Sequence, residues 1–276
     1  MTSRLSTRGI TVGYGGEPVV HDLTLEIPDG QVTTIVGPNG CGKSTLLRTL
    51  ARLLPPSSGQ VVLDGAPITS LGTRDIACRL SLLPQSPIAP EGLLVRDLVG
   101  RGRHPHQRWF AQWSHQDEEV VGAALAMTDT SDLRDRPLDQ LSGGQRQRAW
   151  IAMTLAQDTD LMLLDEPTTY LDLAHQVEVL ELVCRLNRER SRTVAMVLHD
   201  LNLAARYSDL VVVMHGGRIV TQGPPADVFT TEMLRDVFGL EAEILPDPRT
   251  GLPIVVPLSS SANPAADVIS TAALAG

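Results

Sequence analysis

The segment GPNGCGKST, at Gly37–Thr45, decides the fold of this chain. It matches the pattern G-x-x-x-x-G-K-[ST], in which glycines let the backbone curl until its N–H groups face one anion. The apolar run Thr33–Val36 before it predicts a buried strand, and the run Leu46–Leu54 after it predicts a helix. Strand, glycine-rich loop and helix thus occur in the order of a phosphate-binding loop, and the helix start adds a positive dipole end.

Two side chains in this loop are expected to contact the phosphates of a nucleotide or the metal ion bound to them. Lys43 is expected to bring a cation to the β- and γ-phosphates of a nucleotide, and Ser44 to offer its hydroxyl to Mg²⁺. The alternative is a glycine-rich turn that happens to carry a lysine, which would not require the flanking strand and helix. The other nucleotide-binding residues predicted in the loop are Gly37, Pro38, Asn39, Gly40, Cys41, Gly42 and Thr45.

A second potential anion site lies at Leu141–Gln145, which reads LSGGQ. Ser142 is a good helix N-cap, and the adjacent glycines leave backbone N–H groups accessible at the start of a helix predicted over Arg146–Gln157. Because a plain helix start does not need two adjacent glycines, we interpret the pentapeptide as functional.

Polar residues follow two predicted strands. Asp165 and Glu166 come directly after the apolar run Leu161–Leu164, and their side chains point to different sides of the chain. One carboxylate can therefore bind Mg²⁺ or its waters while the other faces a nucleophilic water. His199 follows the predicted strand Thr193–Leu198, and we favour a functional role because the other strand-end polar residues point at the phosphate.

The composition argues against several functional classes. The chain has 276 residues, a net charge of -9 and only 3% aromatic residues, which disfavours broad binding to nucleic acid or anionic lipid. Cys41, Cys78 and Cys184 form no C-x-x-C, so reduced thiols are expected rather than a disulfide framework or a zinc site. No run approaches the ~20 apolar residues that span a bilayer, so a membrane role would need another chain.

The segment GRGRHPHQRWF, at Gly100–Phe110, is basic and contains two histidines, with His115 close behind. The spacing of these histidines fits no common metal-ligand pattern. An exposed basic loop is therefore expected here rather than a metal site.

The order of the remaining elements predicts an α/β fold: a P-loop NTPase core with a mixed β-sheet. From Ser86 to about Gln157 the pattern is mostly helical, which indicates an inserted α-helical subdomain. Asp64-Gly65 is a hairpin signal. Further strands are predicted at Thr7–Gly13, His21–Ile27, Val61–Leu63, Arg79–Leu83, Leu210–Met214 and Arg218–Gln222, and further helices at Leu173–Glu189 and Glu232–Phe238.

We expect one domain over residues 1–240, with its core in 1–85 and 158–240 and the helical subdomain at about 86–157. Residues 241–276 form a C-terminal extension. Its last part, residues 259–276, is rich in Ala and Ser and is expected to be a mobile tail.

In this order, the motifs resemble those of the ATP-binding subunit of ABC transporters, over nearly the whole chain up to about Gly239. GPNGCGKST is similar to the family's Walker A loop, LSGGQ to its signature and LMLLDEP to its Walker B strand. The resemblance places Gln85 at the Q-loop, Asp172 at the D-loop and His199 at the switch histidine. Tyr14 falls where the family stacks an aromatic ring on adenine.

The resemblance implies an ATPase with ATP and Mg²⁺ as cofactors. Ser44, Gln85 and Asp165 would hold Mg²⁺. Glu166 would act as general base or orient the attacking water, and His199 would contact the γ-phosphate. The implied catalytic set is Glu166, His199, Lys43 and Gln85.

Members of this family work as head-to-tail pairs, with ATP between the Walker A loop of one copy and LSGGQ of the other. A second copy of the chain is therefore an expected partner, together with transmembrane permease subunits and a substrate-binding protein. The chain would lie at the cytoplasmic face of the membrane, as a peripheral subunit, with Arg101–Trp109 as a candidate permease surface. Ser142 and Gly144 would complete the partner's nucleotide site, and Gly143, Gln145 and Asp172 are further predicted nucleotide-binding residues.

Three segments refine the resemblance: GRHPHQ, TTYLDLAHQ and LHDLNLAARYSD are similar to the ATPases of ferric-siderophore importers, with haem and cobalamin importers as near relatives. A different class is a soluble ABC-type ATPase that acts on nucleic acid or ribosomes. That class usually has coiled-coil insertions or tandem ATPase units, whereas this chain has one unit and an acidic balance, so no nucleic-acid partner is expected. A small-molecule kinase with a phosphate loop would have no use for LSGGQ.

Overall fold

The computed structural model describes residues 3–107, 113–169 and 171–260, and all structural statements below refer to these. Their strands are β1 Ser3–Gly13, β2 Pro18–Pro28, β3 Val32–Val36, β4 Ser58–Leu63, β5 Ala66–Pro67, β6 Leu80–Leu83, β7 Leu161–Asp165, β8 Thr193–Val197, β9 Leu210–His215, β10 Arg218–Gly223, β11 Leu240–Pro246 and β12 Pro253–Ser260. Their helices are α1 Lys43–Leu50, α2 Thr73–Ala77, α3 Val95–Arg101, α4 His115–Met127, α5 Gly143–Ala156, α6 Leu173–Arg190, α7 Leu201–Tyr207, α8 Pro225–Val228 and α9 Thr231–Phe238.

A six-stranded sheet in the order β10-β9-β3-β8-β7-β6 forms the centre of the fold. Strand β3 pairs in parallel with β8 and β9, and β7 pairs in parallel with β6 and β8, whereas β10 is antiparallel to β9. Strands β3, β7 and β8 are buried along their whole length, as their apolar runs predict. Because parallel strands end at the same edge, the segments after β3, β6, β7 and β8 meet there.

An antiparallel sheet in the order β2-β1-β4-β5 packs on the other side of α1. Leu46, Leu47 and Leu50 of this helix are fully buried in the core between the two sheets. The predicted hairpin at Asp64-Gly65 is confirmed: both residues have positive φ, and Leu63 pairs with Ala66. The predicted mixed α/β architecture is therefore confirmed.

The helix after the glycine-rich loop starts and stops earlier than the apolar run suggested. It begins at Lys43 rather than at Leu46, because Gly42 serves as its N-cap with a φ of 102°. It ends at Leu50 rather than at Leu54, and Arg52 beyond it has a left-handed φ of 59°. Lys43 thus lies in the first helical turn, directly above the loop.

Helices α3, α4 and α5 occupy the segment between β6 and β7, where the helical subdomain was predicted. The expectation of an exposed basic loop there is wrong for Arg103, which is only 4% exposed. Its guanidinium pairs with Asp117 at 2.9 Å and donates to the Ala156 carbonyl, which compensates for its burial. Among the described residues no cluster of His, Cys, Asp or Glu could hold a metal ion, and residues 108–112 of the basic segment lie outside that part.

Strands β11 and β12 form a hairpin that the sequence did not reveal. The Asn202 side chain holds it against α7, donating to the Val255 carbonyl at 3.2 Å and accepting from the Val255 amide at 2.7 Å. Ser259 and Ser260 belong to β12, although the tail was expected to begin at Ser259. Residues 261–276, the rest of the predicted tail, lie outside the described residues.

Candidate nucleotide-binding site

The glycine-rich loop follows β3 and packs closely on the neighbouring strand. A Cβ built on Gly37 would lie 2.1 Å from the Met214 carbonyl oxygen, so only glycine fits. Gly42 needs its left-handed φ to turn the loop into α1. The loop geometry therefore depends on these glycines, as the motif predicted.

Lys43 is buried beside the loop, with an exposed fraction of 5%. Its Nζ donates to the carbonyl oxygens of Gly37 at 2.8 Å and Pro38 at 3.0 Å. The ammonium group is thus held at the loop, where a bound phosphate would meet it.

Cys41 also lies in this loop, and burial raises the pKa of its thiol despite the nearby Lys43 charge. A buried thiol with a raised pKa is a poor nucleophile. This supports the interpretation of Cys41 as a small side chain in a tight turn.

Ser44 and Asp165 approach each other from α1 and β7. The Ser44 hydroxyl donates to Asp165 Oδ1 at 2.8 Å, and Asp165 is only 2% exposed. Burial raises the pKa of Asp165, the Ser44 hydrogen bond opposes the rise and the charge of Glu166 adds to it. A hydroxyl and a carboxylate side by side are hard oxygen ligands of the kind that Mg²⁺ prefers, so this donor set fits the ion.

Glu166 collects hydrogen bonds from three side chains. His199 Nε2 lies 2.6 Å from its Oε1. Gln85 Nε2 and Thr169 Oγ1 donate to its Oε2 at 2.6 Å and 3.0 Å. Glu166 itself has a left-handed φ of 52°, which indicates backbone strain at this position.

The environment of Glu166 favours its ionised form. Burial alone would raise its pKa, but the side chains that bond to it outweigh burial and lower the pKa below the ordinary value. A carboxylate with a lowered pKa is a weaker base and stays ionised, so it can accept hydrogen bonds from a water without taking its proton. Orienting a water is therefore the better fit to this geometry than abstracting its proton.

A cavity of about 330 Å³ lies between the glycine-rich loop and the side chains of Gln85, Glu166 and His199. Tyr14 does not line the cavity but lies near it, with its hydroxyl 3.4 Å from Thr45 Oγ1. The residue is 60% exposed, so its ring could stack on a base there. The sequence did not single out Val19 or Thr169, since neither belongs to the glycine-rich pattern. The cavity is lined by Val19, Asn39, Gly40, Gly42, Lys43, Ser44, Thr45, Gln85, Glu166 and His199.

The LSGGQ segment does not line this cavity. Ser142 caps α5 as predicted: its Oγ accepts from the Gln145 amide at 3.3 Å, while Gln145 Oε1 accepts from the Ser142 amide at 3.1 Å. Ser142 and Gly143 are exposed, whereas Gly144 is buried. Within one chain, the two predicted anion sites are thus separate.

Asp172 lies at the start of α6 and is also outside the cavity. Its Oδ1 accepts a hydrogen bond from the His175 amide at 3.0 Å and lies 2.7 Å from His175 Nδ1. These contacts to the amide and then to the ring lower the pKa of the Asp172 carboxyl. Asp172 is therefore an ionised helix cap on an exposed surface.

The chain is similar to known proteins over nearly its whole length. The family model described as ABC transporter matches residues 20–169. The petrobactin import ATP-binding protein FpuD of Bacillus anthracis is 53% identical to this chain, over a region that covers 93% of this chain and 94% of FpuD. The ferric enterobactin transport ATP-binding protein FepC of Escherichia coli (strain K12) is 51% identical, over a region that covers 94% of this chain and 96% of FepC.

A solved structure shares the fold. The dimeric structure of a bacterial ABC transporter cassette matches with a TM-score of 0.71 and 26% identity, over 80% of this chain and 98% of that one. No helix in the described part of this chain is long and apolar enough to cross a membrane.

Proposed function

Since this chain belongs to the ABC transporter family as an ATP-binding subunit, we propose that it hydrolyses ATP to power the import of a ferric siderophore. The hydrogen-bonded cluster around the buried Glu166, next to Lys43 and Ser44, carries the ATPase part of the proposal. The cargo is supported by relatives named for petrobactin import and ferric enterobactin transport, both more than half identical to this chain.

In the proposed reaction, the chain positions ATP and a water and neutralises charge, which is most of what phosphoryl transfer requires. Lys43 and the loop amides bind the phosphates. Ser44, Asp165 and Gln85 would hold Mg²⁺, which supplies charge neutralisation when bound. Glu166 orients the attacking water, and His199, already in contact with Glu166, holds that carboxylate and faces the γ-phosphate.

We also propose that two copies assemble head to tail. The separation of the two anion sites within one chain supports this arrangement, because LSGGQ and Asp172 would then meet the nucleotide of the other copy. The dimeric cassette with the same fold is consistent with such a pair. ATP held by both copies would join them, and hydrolysis would release them.

The proposed assembly includes permease subunits in the membrane and a substrate-binding protein, with this chain at the cytoplasmic face. Exposed apolar side chains near the helical subdomain support a docking surface there: Ile88 is 92% exposed, and Trp113 is also exposed. Within the predicted partner region Arg101–Trp109, Arg101 and His104 line one cavity with Trp113, and residues 108 and 109 lie outside the described part.

Iron uptake from ferric siderophores in cells that lack this chain tests the cargo. We expect uptake to fall without the chain, to return with the wild type and to stay low with Glu166→Gln. The same cells supplied with haem or cobalamin serve as parallel assays for the alternative cargoes. Unchanged siderophore uptake together with lost haem or cobalamin uptake would overturn the siderophore proposal and leave the ATPase intact.

A further inference from the structure

His175 lies where two functional elements of the chain meet. On one side its amide and its Nδ1 both contact Asp172 Oδ1, at 3.0 Å and 2.7 Å. On the other side its ring packs on Gly144 of the LSGGQ segment, where an added Cβ would lie 2.7 Å from His175 Cδ2. One side chain therefore touches both elements that lie outside the chain's own nucleotide cavity.

These contacts connect two different parts of the fold. Gly144 belongs to α5, in the helical subdomain, whereas Asp172 and His175 belong to the start of α6, in the core. About one turn further along both helices, Arg148 of α5 donates to Glu178 of α6 at 3.3 Å. These two contacts show that the helices approach each other near their N-terminal ends.

A cap alone does not explain His175. The Asp172 carboxylate already accepts the His175 backbone amide, which satisfies one orphan donor of α6 whatever the side chain is. The ring adds a second bond to the same oxygen and fills the space that Gly144 leaves open. Gly144 is thus matched to the ring in shape, and Asp172 is matched to it as a hydrogen-bond partner.

We propose that His175 is a positioning residue that fixes the start of the LSGGQ helix relative to Asp172, so that both elements meet the partner's nucleotide as one unit. The inference rests on the proposed head-to-tail pair. Its physical basis is preorganisation, since a misplacement of ~1 Å in groups that contact a reacting phosphate costs as much as ~100-fold in rate.

Three substitutions separate the two contacts of the ring. Leu and Asn have nearly the same shape, but only Asn can donate to Asp172 from the position of Nδ1. His175→Asn should therefore behave much like the wild type, whereas His175→Leu keeps the packing on Gly144 and loses the bond. His175→Ala loses both.

Each substitution is made in two backgrounds. In the Glu166→Gln chain, sedimentation measures the dimer formed with ATP. In the otherwise wild-type chain, phosphate release gives kcat and KM. Thermal unfolding and ATP binding to the single chain serve as controls, because neither involves the contact with the partner.

We expect His175→Leu and His175→Ala to weaken the ATP-dependent dimer and lower kcat by about three- to tenfold, the range for one lost hydrogen bond. The unfolding temperature should fall only slightly, because one hydrogen bond within the chain is lost. ATP binding to the single chain should stay unchanged, and Asn should restore both dimer and kcat.

Equal dimer formation by the Leu variant and the parent chain would overturn the inference, as would equal losses in the Leu and Asn variants. If the parent chain binds ATP and never dimerises, the proposed pair itself fails, and the role of His175 falls with it. The two failures are therefore distinguishable in one set of measurements.

Discussion

The carboxyl edge of the central sheet and the LSGGQ segment are the two regions proposed to bind phosphate, and they differ in how much of a site one chain supplies. At the sheet edge Lys43, Asp165 and Glu166 are buried, and each is bonded to a neighbouring group. In the LSGGQ segment, Ser142 and Gly143 are exposed, and the Ser142 hydroxyl accepts a hydrogen bond from the Gln145 amide of the same helix start. The side chains of the first region are thus already positioned within one chain, and the exposure of the second fits the proposal that it meets the nucleotide of another copy.

Loss of the Glu166 carboxylate should have the largest effect. Glu166→Gln keeps the side-chain shape but removes the charge that orients water, so turnover should fall by about 10²- to 10⁴-fold. ATP binding should be retained, because the phosphates are held by the loop and Lys43. Phosphate release and equilibrium ATP binding measure both, and near-normal turnover would remove Glu166 from the catalytic role.

Lys43→Ala should weaken ATP binding itself, by about 10- to 100-fold, the range expected for lost hydrogen bonds from a charged group. Lys43 is the single lysine of the sequence, which offers an independent measurement. An amine-reactive reagent should modify its ε-amine more slowly when ATP is bound. Unchanged ATP affinity in the variant, or labelling that ATP does not slow, would contradict a phosphate site at this loop.

A substitution in the LSGGQ segment should lower turnover without changing ATP binding. Ser142→Ala removes a cap, which costs about 1 kcal/mol of stability, but it should leave ATP binding to the single chain unchanged. Turnover should nevertheless fall, by about tenfold if one hydrogen bond to the partner's phosphate is lost.

Ser114→Ala is the matched control for that experiment. Ser114 caps α4 through the same kind of box, with Asp117, and lies away from the predicted nucleotide contacts. It should lose similar stability and keep its turnover. Equal turnover in the two variants would assign Ser142 to helix capping alone.

The smallest effect concerns acid stability. The pKa of folded Glu166 lies below its ordinary value, so the stabilisation from its ionised form is complete above the ordinary pKa of a glutamic acid. It is lost as pH falls through the lowered pKa. In that acidic range the unfolding temperature of the wild type should therefore fall more than that of Glu166→Gln. A larger fall of the wild type only at neutral or alkaline pH would contradict the lowered pKa.

Local patterns predicted much of this molecule. The loop at Gly37–Thr45, the cap at Ser142 and the buried strands depend on neighbouring residues, and the structure has them as expected, with helix ends shifted by a few positions. Gln85 was placed by resemblance to a family, and His199 by its position at the end of a strand as well as by resemblance. Their contact with Glu166 follows from strand order, which places the ends of β6, β7 and β8 together.

The missed features depend on contacts between distant parts of the chain. Arg103 is buried because Asp117 and a carbonyl of α5 receive its guanidinium, which a basic stretch of sequence cannot show. The hairpin of β11 and β12 contains several prolines, which argue against strands when read alone, and it is held by Asn202. Thr169 and His175 look like ordinary polar residues until Glu166 and Asp172 are seen beside them.

Sedimentation of the Glu166→Gln chain with ATP tests most directly whether the sheet edge of one copy and the LSGGQ segment of another form one nucleotide site. We expect a dimer with one ATP per chain, which is absent without nucleotide and strongly weakened when Ser142→Ala is added, although each chain still binds ATP. A Glu166→Gln chain that binds ATP tightly and remains single at every concentration, or a dimer that Ser142→Ala leaves intact, would contradict the shared site.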